Sequence, residues 1–359
     1  MKVGILTFHK VINYGAVLQA YALNRYINEN GIDCEDIDYT AKKIRNFYNP
    51  FKIEKFSDLK DLLDFFLNLI GRFRTIKKFR LFRSQYIRFS KKCFDNCIKE
   101  ANGRYDLLIC GSDQIWNNKI TGEDLNYFFS FDKVSRKASY AASFGAADIS
   151  SNKDTILKLL TVFSHITVRE SSSISLLNNC ISNKVRLVLD PVFLLPSKEW
   201  SLLANNKKIL DGKYIFLFNL KNNIDVITFV KQLSKEKGME IVTLSNSSFY
   251  NHSFRKISGG GPIEFLYLIK NAEYIVTDSF HATSLSIIFN KVFFVGLNKT
   301  QIALNSRLNS LLTLFDLQKQ IISKDINYNI NYTRVNQIMD IEKKKSEMIL
   351  DKILNNIPF

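Results

Sequence analysis

The chain alternates short apolar runs with longer amphipathic stretches, and this alternation predicts an α/β protein. Val3–Phe8 is an apolar run that suits a strand buried on both faces. Ala16–Asn30 follows with apolar residues at helical spacing and ends at Gly31, and Cys34–Tyr39 returns as a strand. A strand, a helix and a second parallel strand form a βαβ unit, whose crossover should be right-handed.

The same alternation continues to residue 192, and we expect a first domain over residues 1–192 with a helical insertion at about 42–100. Further strands are expected at Tyr105–Cys110, Lys137–Phe144, Ile166–Val168 and Val185–Leu189, and a helix at Ser172–Cys180. Asp190-Pro191 and Pro196 interrupt the pattern and mark the expected hinge.

A second series of strands and helices predicts a second domain over residues 193–330. Its strands are expected at Tyr214–Phe218, Glu240–Leu244, Glu273–Asp278 and Val292–Gly296, and its helices at Ile224–Lys237, Ile263–Asn271 and Arg307–Phe315. The segment 331–359 carries a charged amphipathic helix, Asn336–Asn355, which we expect to pack back across the domains. Two α/β sheets should then face a central cleft, with ligands at the carboxyl ends of the strands.

Composition favours an ordinary globular protein of the cytoplasm. The chain has 359 residues, 46% of them hydrophobic and 23% charged. It contains no apolar run of about 18 residues that would span a membrane, and its N-terminus reads as a strand and not as a secretion signal. Five scattered cysteines indicate neither a zinc site nor a disulfide framework.

The net charge of +16 is concentrated in one segment. Between Lys42 and Lys92 there are 15 Lys and Arg against 4 Asp and Glu, and Arg72–Arg83 is the densest part. Basic residues interleaved with Phe and Leu suit an anionic membrane surface, a nucleic acid, or simply a pair of solvated helices. No nucleic-acid-binding signature accompanies the segment, so nucleic acid is the least favoured partner.

Several common chemistries are excluded by the motifs that are missing. No GxGxxG follows the first strand, and the sequence has no GxxxxGK[ST] phosphate loop and no GxSxG elbow. The four histidines, His9, His165, His252 and His281, are far apart and form no HExxH, so we expect no metal site. Gly259–Gly261 lacks the dinucleotide spacing and is interpreted as a mobile lid.

The most informative stretch is Glu273–Asn290, which reads as a buried strand that turns directly into a helix. His281 falls in the first helical turn. A helix start suits a phosphate or carboxylate, and a histidine placed there can donate a proton to the molecule that carries the anion. The alternative is a core histidine with a capping neighbour.

Six motifs in this order resemble the polysaccharide pyruvyl transferase family along nearly the whole chain. They are Thr7–Gln19, Ile109–Asn117, Tyr140–Gly145, Val168–Glu170, Leu189–Val192 and Thr277–Ser284. The resemblance implies two Rossmann-like domains arranged as in GT-B glycosyltransferases. It also implies transfer of the enolpyruvyl unit of phosphoenolpyruvate to a sugar of a surface or capsular polysaccharide precursor, which closes a pyruvate ketal without a further cofactor.

The resemblance also implies roles for individual residues on the donor side. His281 matches the family's general acid, and Arg169 matches an arginine that holds the donor. Many relatives carry Arg-Leu-His at the strand–helix turn, whereas this chain has Ser279-Phe-His281, so the arginine before the pair is missing. We expect Ser279 and Arg307 to contribute to the donor site instead. An ion pair with Glu170 is the structural alternative for Arg169.

On the acceptor side, Asp113 is the expected base and Trp116 is expected to stack on a sugar ring. The alternative is that Asp113 caps its loop and Trp116 packs in the core. Further acceptor contacts are expected from Asn13, Tyr14, Gly15, Ser112, Gln114 and Ser143. A lipid-linked acceptor would place the protein on the inner face of the membrane. The rival functions are a GT-B nucleotide-sugar glycosyltransferase and a non-catalytic glycan-binding protein.

Overall fold

A computed structural model describes residues 1–47, 59–122, 124–145, 153–178, 181, 185–205, 208–220, 223–244, 254–298, 305–323 and 327–359, without the side chains of 47, 59–68 and 178. Cys180, His252 and residues 48–58 of the basic segment lie outside this description. The chain forms two compact units. Unit 1 comprises residues 1–49, 83–195 and 338–359, and unit 2 comprises residues 50–82 and 196–337.

Unit 1 is built on a parallel sheet. In chain order, its elements and the helix that enters it from unit 2 are β1 (Lys2–Leu6), α1 (Tyr14–Glu29), β2 (Asp33–Asp38), α2 (Lys42–Phe47), α3 (Leu59–Tyr86), β3 (Phe89–Cys93), β4 (Leu107–Cys110), α4 (Asn118–Thr121), β5 (Arg136–Ser139), α5 (Lys153–Thr161), β6 (Ile166–Val168), α6 (Ser171–Asn178) and β7 (Val185–Leu187). The five-stranded sheet has the order β3-β2-β1-β4-β5, and the parallel pair β6-β7 continues it through isolated bridges from β5.

Unit 2 repeats the same plan. Its elements are α7 (Ser197–Ala204), β8 (Tyr214–Phe218), α8 (Ile224–Lys237), β9 (Glu240–Thr243), β10 (Arg255–Lys256), α9 (Pro262–Asn271), β11 (Tyr274–Thr277), α10 (Phe280–Ile288), β12 (Val292–Val295), α11 (Ser306–Leu314) and α12 (Tyr332–Asn355), the last of which continues into unit 1. Its parallel sheet has the order β10-β9-β8-β11-β12. In both sheets the strand order reverses beside the first strand, between β1 and β4 and between β8 and β11. Such a reversal is where open α/β sheets bind ligands.

Local sequence signals explain why these elements begin and end where they do. Asn223 caps α8 by accepting the N–H of Asp225 at 3.0 Å, and Gly238 ends the helix with a left-handed φ of 63°. One apolar face of α8, through Val226 and Phe229, packs into the same core as the buried residues of β8 and β11. The predicted α/β class with two Rossmann-like sheets is confirmed.

The unit boundaries differ in detail from the predicted domain limits. The chain passes from unit 1 to unit 2 between Leu195 and Pro196. Within the predicted insertion, residues 50–82 cluster with unit 2 and only its flanks cluster with unit 1. The far end of α12 lies in unit 1, where Leu350 and Ile353 share a core with Val3 of β1.

The glycine run Gly259–Gly261 packs against α3 and is not the lid that the sequence suggested. All three glycines are buried. A Cβ at Gly261 would lie 2.5 Å from Cβ of Lys78, and a Cβ at Gly259 would lie 2.7 Å from Cβ of Arg74. Lys78 also reaches Glu264 of α9 with an Nζ–Oε1 distance of 2.5 Å. The glycines therefore allow a helix to approach the loop backbone closely.

Among the described helices, none combines the length and the apolar character that crossing a bilayer requires.

Candidate functional site

The loops at the strand-order reversal of unit 1 are tied together by a chain of hydrogen bonds. Gln19 of α1 donates from Nε2 to the Thr7 hydroxyl at 2.8 Å, and Thr7 donates to the Ser112 carbonyl at 3.0 Å. A Cβ at Gly111 would lie 2.8 Å from Cβ of Thr7, so only glycine lets the β4 loop approach this closely. The motifs after β1 and β4 thus form one structure.

Arg169, directly after β6, lies inside a cluster of three carboxylates. Its Nη1 donates to Oδ2 of Asp190 at 2.8 Å. Its other nitrogens lie 3.6 Å from Oδ1 of Asp113 and 4.0 Å from Oε2 of Glu170. Burial opposes the charged form, but the carboxylates of Asp190, Asp113 and Glu170 prevail and raise the pKa of Arg169.

This arrangement corrects the prediction that Arg169 holds the donor. The Arg169 side chain is only 1% exposed, and its nearest charged group is the carboxylate of Asp190. An anionic donor would meet three negative charges there. The structural alternative, an ion pair, is therefore the one observed, with Asp190 as the closest partner and Glu170 more distant.

The carboxylates around Arg169 are held in turn by serine hydroxyls. Ser112 donates to Asp190 at 2.9 Å, while Ser143 and Ser173 donate to Oε1 of Glu170 at 2.9 and 2.6 Å. Ser112 and Ser143 are completely buried. The prediction that these two serines contact the acceptor is therefore wrong, since their hydroxyls are used to hold the carboxylate cluster.

Asp113 stands at the edge of this cluster in a strained conformation. Its φ is 75°, a left-handed value that costs a residue with a side chain about 1–2 kcal/mol. Its Oδ1 accepts the N–H of Gln114 at 2.8 Å, so the predicted alternative of a loop cap is present. Strain of this kind is tolerated where a side chain must be aimed, and the role of Asp113 as base stays a prediction.

The remainder of the β4 loop is closed by amide contacts. The side chain of Asn117 donates to Oε1 of Gln114 at 2.9 Å. A Cβ at Gly145 would lie 2.3 Å from that same oxygen, and Gly145 has a φ of 66°. Gln114 is half-buried and remains a predicted acceptor contact.

Trp116 is a core residue, and the prediction that it stacks on a sugar is wrong. Its side chain is completely buried, its ring stacks on Phe128 with the centroids 5.4 Å apart, and Phe144 packs on it at 5.0 Å. The indole N–H donates to the Tyr127 carbonyl at 3.2 Å. The polar atom of Trp116 is thus satisfied inside the protein, as buried tryptophans require.

The predicted acceptor residues Asn13, Tyr14 and Gly15 form the beginning of α1. Asn13 is the N-cap and accepts the N–H of Ala16 at 3.2 Å. Asn13 and Tyr14 are half-buried, whereas Gly15 is buried. The exposure of Asn13 and Tyr14 would allow contact with a sugar. For all three residues such a contact stays a prediction.

A second polar cluster lies at the end of β1. His9 is buried and lies 3.2 Å from Oδ1 of Asp38, which also pairs with Lys10 at 2.7 Å. Burial lowers the pKa of His9 in spite of the nearby carboxylate. Burial would raise the pKa of Asp38, but hydrogen bonds from His9 and Lys10 outweigh it and lower that pKa to about 2.

In unit 2, the strand–helix turn has the geometry that the sequence predicted. Ser279 is the N-cap of α10, with its hydroxyl 3.4 Å from the N–H of Ala282, and His281 is the second residue of the helix. Both are largely buried, His281 being 6% exposed. The ring of Phe280 contacts the imidazole edge-to-face at a centroid distance of 5.3 Å. His281 therefore stands at the positive end of the α10 dipole.

The two loops at the strand-order reversal of unit 2 are also joined. Asp278 accepts the N–H of Leu220 at 2.7 Å, and the Thr277 hydroxyl donates to the Phe218 carbonyl at 2.6 Å. Thr277 also accepts the N–H of Ser279 at 3.0 Å. These bonds fix the backbone immediately before His281. The backbone that carries His281 is thus held by the loops at the ends of β8 and β11.

Arg307 is the second residue of α11, a helix that contacts α10. Its side chain is half-buried. The preceding Asn305 exchanges two 2.8 Å hydrogen bonds with the backbone of Asn298, which closes the loop from β12. Arg307 thus lies on the helix next to that of His281 and remains the candidate for the missing donor arginine.

The residue that sequence reasoning missed is Asp190. It was interpreted as part of a hinge, although it lies in one of the family motifs and directly follows the predicted strand Val185–Leu189. Its Oδ1 caps the turn after β7 by accepting the N–H of Val192, while its Oδ2 binds Arg169 and Ser112. The signal that could have identified Asp190 was its position, since it is a carboxylate that follows a predicted strand within the next family motif.

Comparison with known proteins identifies relatives by family and by fold. The sequence profile of the polysaccharide pyruvyl transferase family matches residues 13–298. No curated protein matches the chain in sequence.

Three solved structures are similar to this chain in fold, and two of them are named as a UDP-GlcNAc 2-epimerase. UDP-GlcNAc 2-epimerase from Methanocaldococcus jannaschii, in complex with UDP-GlcNAc and UDP, has 14% identity and a TM-score of 0.50, covering 99% of this chain and 100% of that one. S. aureus MnaA with UDP has 12% identity and a TM-score of 0.51, covering 99% and 97%. A putative UDP-N-acetylglucosamine 2-epimerase from Listeria monocytogenes has 8% identity and a TM-score of 0.51, covering 98% and 90%.

At these identities the likeness shows a shared fold of GT-B type and nothing about substrate. The family profile, by contrast, covers most of the chain and includes the loops that carry Asp113 and His281. The chain belongs to the polysaccharide pyruvyl transferase family.

Proposed function

We propose that the protein transfers the enolpyruvyl unit of phosphoenolpyruvate to a sugar of a surface or capsular polysaccharide precursor and closes a cyclic pyruvate ketal. The observation that carries the proposal is the family match over residues 13–298, within which His281 occupies a helix start at the strand-order reversal of unit 2. A helix start favours an anion, and a histidine is suited to proton transfer near neutral pH.

The reaction requires one proton donor and one proton acceptor. A proton is added to the methylene carbon of phosphoenolpyruvate, and the adjacent carbon acquires oxocarbenium character. A sugar hydroxyl adds to that carbon and loses its proton. A second hydroxyl then displaces inorganic phosphate, and the proton of that hydroxyl leaves with the phosphate, so that phosphoenolpyruvate and a diol give a ketal and hydrogen phosphate.

His281 is the proposed general acid. Its position in the first turn of α10 places the imidazole at the end of the helix that attracts the phosphate and carboxylate of the donor. A positioned acid of this kind contributes about 10²–10⁴-fold to a rate. The edge-to-face contact with Phe280 and the hydrogen bonds of Thr277 and Asp278 restrict where the ring can lie.

Asp113 is the proposed base for the attacking hydroxyl. Its carboxylate is held by the N–H of Gln114 and lies 3.6 Å from the Arg169 guanidinium. We assign Arg169 the positioning of Asp113, because the Arg169 guanidinium is buried among carboxylates that include that of Asp113. The half-buried Asn13, Tyr14 and Gln114 supply the proposed acceptor contacts.

Arg307 and Ser279 are the proposed donor ligands. A guanidinium binds phosphate or carboxylate with two parallel hydrogen bonds, and Arg307 is carried by the helix that contacts α10. Arg307→Gln should raise the KM for phosphoenolpyruvate about tenfold or more and should change kcat less. An unchanged KM would remove Arg307 from the donor site.

The proposed setting is the cytoplasm, on the inner face of the membrane, with a lipid-linked oligosaccharide as acceptor. No cofactor besides the donor and no nucleic acid enters the reaction.

A thermal-shift panel tests the donor class. Phosphoenolpyruvate should raise the melting temperature, because a ligand that binds only the folded state stabilises it. UDP and UDP-GlcNAc are the comparison, since the similar solved structures hold them. A shift with the UDP compounds alone would refute pyruvyl transfer in favour of a nucleotide-sugar reaction. A shift with oligosaccharide alone would favour a non-catalytic glycan-binding protein.

A further inference from the structure

Helix α3 presents an exposed face that combines apolar and basic side chains. Ile70, Phe73 and Leu81 are 64%, 59% and 44% exposed, which is unusual for large apolar residues on one helix. Arg74, Lys77 and Arg80 are also exposed. At 3.6 residues per turn, these six residues fall within an arc of about 120°. We call this surface the basic-apolar face.

The opposite side of α3 is used for folding. Gly71, Thr75 and Phe79 are buried at helical spacing. Gly71 lies against Gly259, and the Cβ of Lys78 lies against Gly261. Arg74 stands at the edge of the basic-apolar face, and the beginning of its side chain also lies against Gly259. The helix is therefore anchored by one side, and the basic-apolar face is held outward by that anchoring.

From residue 65 onward, the charged residues of α3 itself have a single sign. Between residues 65 and 94 the sequence contains nine Lys and Arg and no Asp or Glu. Lys78 is neutralised by Glu264, but Lys77 and Arg80 carry their charge on the exposed side. A partner that covers this face must therefore be anionic and must also accept apolar side chains.

We propose that the basic-apolar face binds an anionic lipid bilayer, with Ile70, Phe73 and Leu81 at the acyl boundary and the basic residues among the headgroups. Helices that lie in the membrane interface have this combination of side chains. Nucleic acid explains the charges but offers no place for three exposed apolar side chains. A second copy of this chain, with its net charge of +16, would oppose like charges.

The inference rests on the proposed function in one respect: membrane binding would bring the enzyme to a lipid-linked acceptor. The test measures binding alone, so pyruvyl transfer can fail while membrane binding holds, or the reverse. Full-length protein is sedimented with vesicles of phosphatidylcholine alone and with vesicles that contain about one third phosphatidylserine.

Two double variants separate charge from apolar contact. In the charge variant, Lys77→Gln and Arg80→Gln remove two exposed positive charges of the face. In the apolar variant, Ile70→Ser and Phe73→Ser keep the charge. The control variant, Lys231→Gln with Lys235→Gln, removes the same charge from exposed positions of α8.

The wild type should bind the anionic vesicles and not the neutral ones, and added salt should weaken binding. The charge and apolar variants should each bind roughly tenfold or more weakly. The control should stay within about threefold of the wild type, because distant exposed charges are screened. All variants should keep the wild-type melting temperature, since the changed side chains are exposed.

Three results would overturn the proposal. One is equal binding to neutral and anionic vesicles. Another is a control variant that loses as much as the charge variant, which would assign binding to net charge alone. The third is a protein that binds no vesicle but uses the basic-apolar face for another partner. Binding of duplex DNA would be measured by fluorescence anisotropy, and self-association by sedimentation velocity, on the same variants.

Discussion

The carboxylate cluster around Arg169 makes a strong prediction about Asp190. Asp190→Asn keeps the shape of the side chain but removes the charge that faces Nη1 of Arg169 at 2.8 Å. It also disturbs the hydrogen bond from Ser112 at 2.9 Å. Because Asp190 and Arg169 are both buried, water cannot replace what is lost.

The size of the effect follows from what remains near Arg169. Breaking a buried ion pair costs about 3–5 kcal/mol. Asp113 and Glu170 still lie 3.6 and 4.0 Å from the guanidinium, so its charge is not left alone. We therefore expect a loss of about 2–4 kcal/mol, which is a fall in melting temperature on the order of 10 °C for a unit of this size.

Thermal unfolding followed by circular dichroism measures this loss, with Glu170→Gln as the comparison. Glu170 is equally buried but more distant from Arg169, so its substitution should cost less. Combining Asp190→Asn with Arg169→Met should cost less than the sum of the single changes by about 1–3 kcal/mol. Strictly additive losses, or a fall below about 2 °C for Asp190→Asn, would refute the ion-pair reasoning.

Other substitutions test the core, the glycine run and the polar cluster of β1. Trp116→Ala should destabilise the protein by about 3–5 kcal/mol; a stable variant with weakened acceptor binding would restore the sugar-stacking role. Gly260→Ala would place a Cβ 2.2 Å from Cδ2 of Leu244 and should cost about 1–3 kcal/mol, because the buried Leu244 side chain must move; an unchanged free energy of unfolding would contradict this close approach. The pKa of Asp38 is lowered to about 2, so its carboxylate stabilises the fold above pH 4 and that contribution is lost as the pH falls through 2. Asp38→Asn should thus cost about 1–2 kcal/mol in urea unfolding at pH 7 and much less near pH 2, and a pH-independent difference would contradict the assignment.

The sequence predicted the regular elements well where local signals agree. Strand β8 and helix α8 have the predicted limits, because a continuous apolar run and an Asn cap with a terminal glycine leave little choice. Strand β3 was not predicted. Phe89–Cys93 is an edge strand with two lysines and a single buried residue, so its hydrophobic pattern resembles that of a loop.

The sequence indicated which residues lie in the candidate site, but not which side chains bind each other there. The strand–helix turn at His281 is encoded within a few neighbouring residues, and the structure has it as expected. Trp116 was misassigned because an aromatic residue after a strand has the same pattern in a core and in a binding site. The pairing of Arg169 with Asp190 joins two motifs 21 residues apart, and only the sheet brings them together.

The assay that addresses catalysis itself combines the protein, phosphoenolpyruvate and a small set of lipid-linked or aryl galactosides. Released phosphate and the mass of the acceptor are measured together. Pyruvyl transfer predicts one phosphate for each acceptor that gains pyruvic acid less water. His281→Gln should lower this rate at least about 100-fold and should keep the thermal shift with phosphoenolpyruvate. An unchanged rate in His281→Gln, or phosphate release without the matching gain in acceptor mass, would contradict the proposed mechanism.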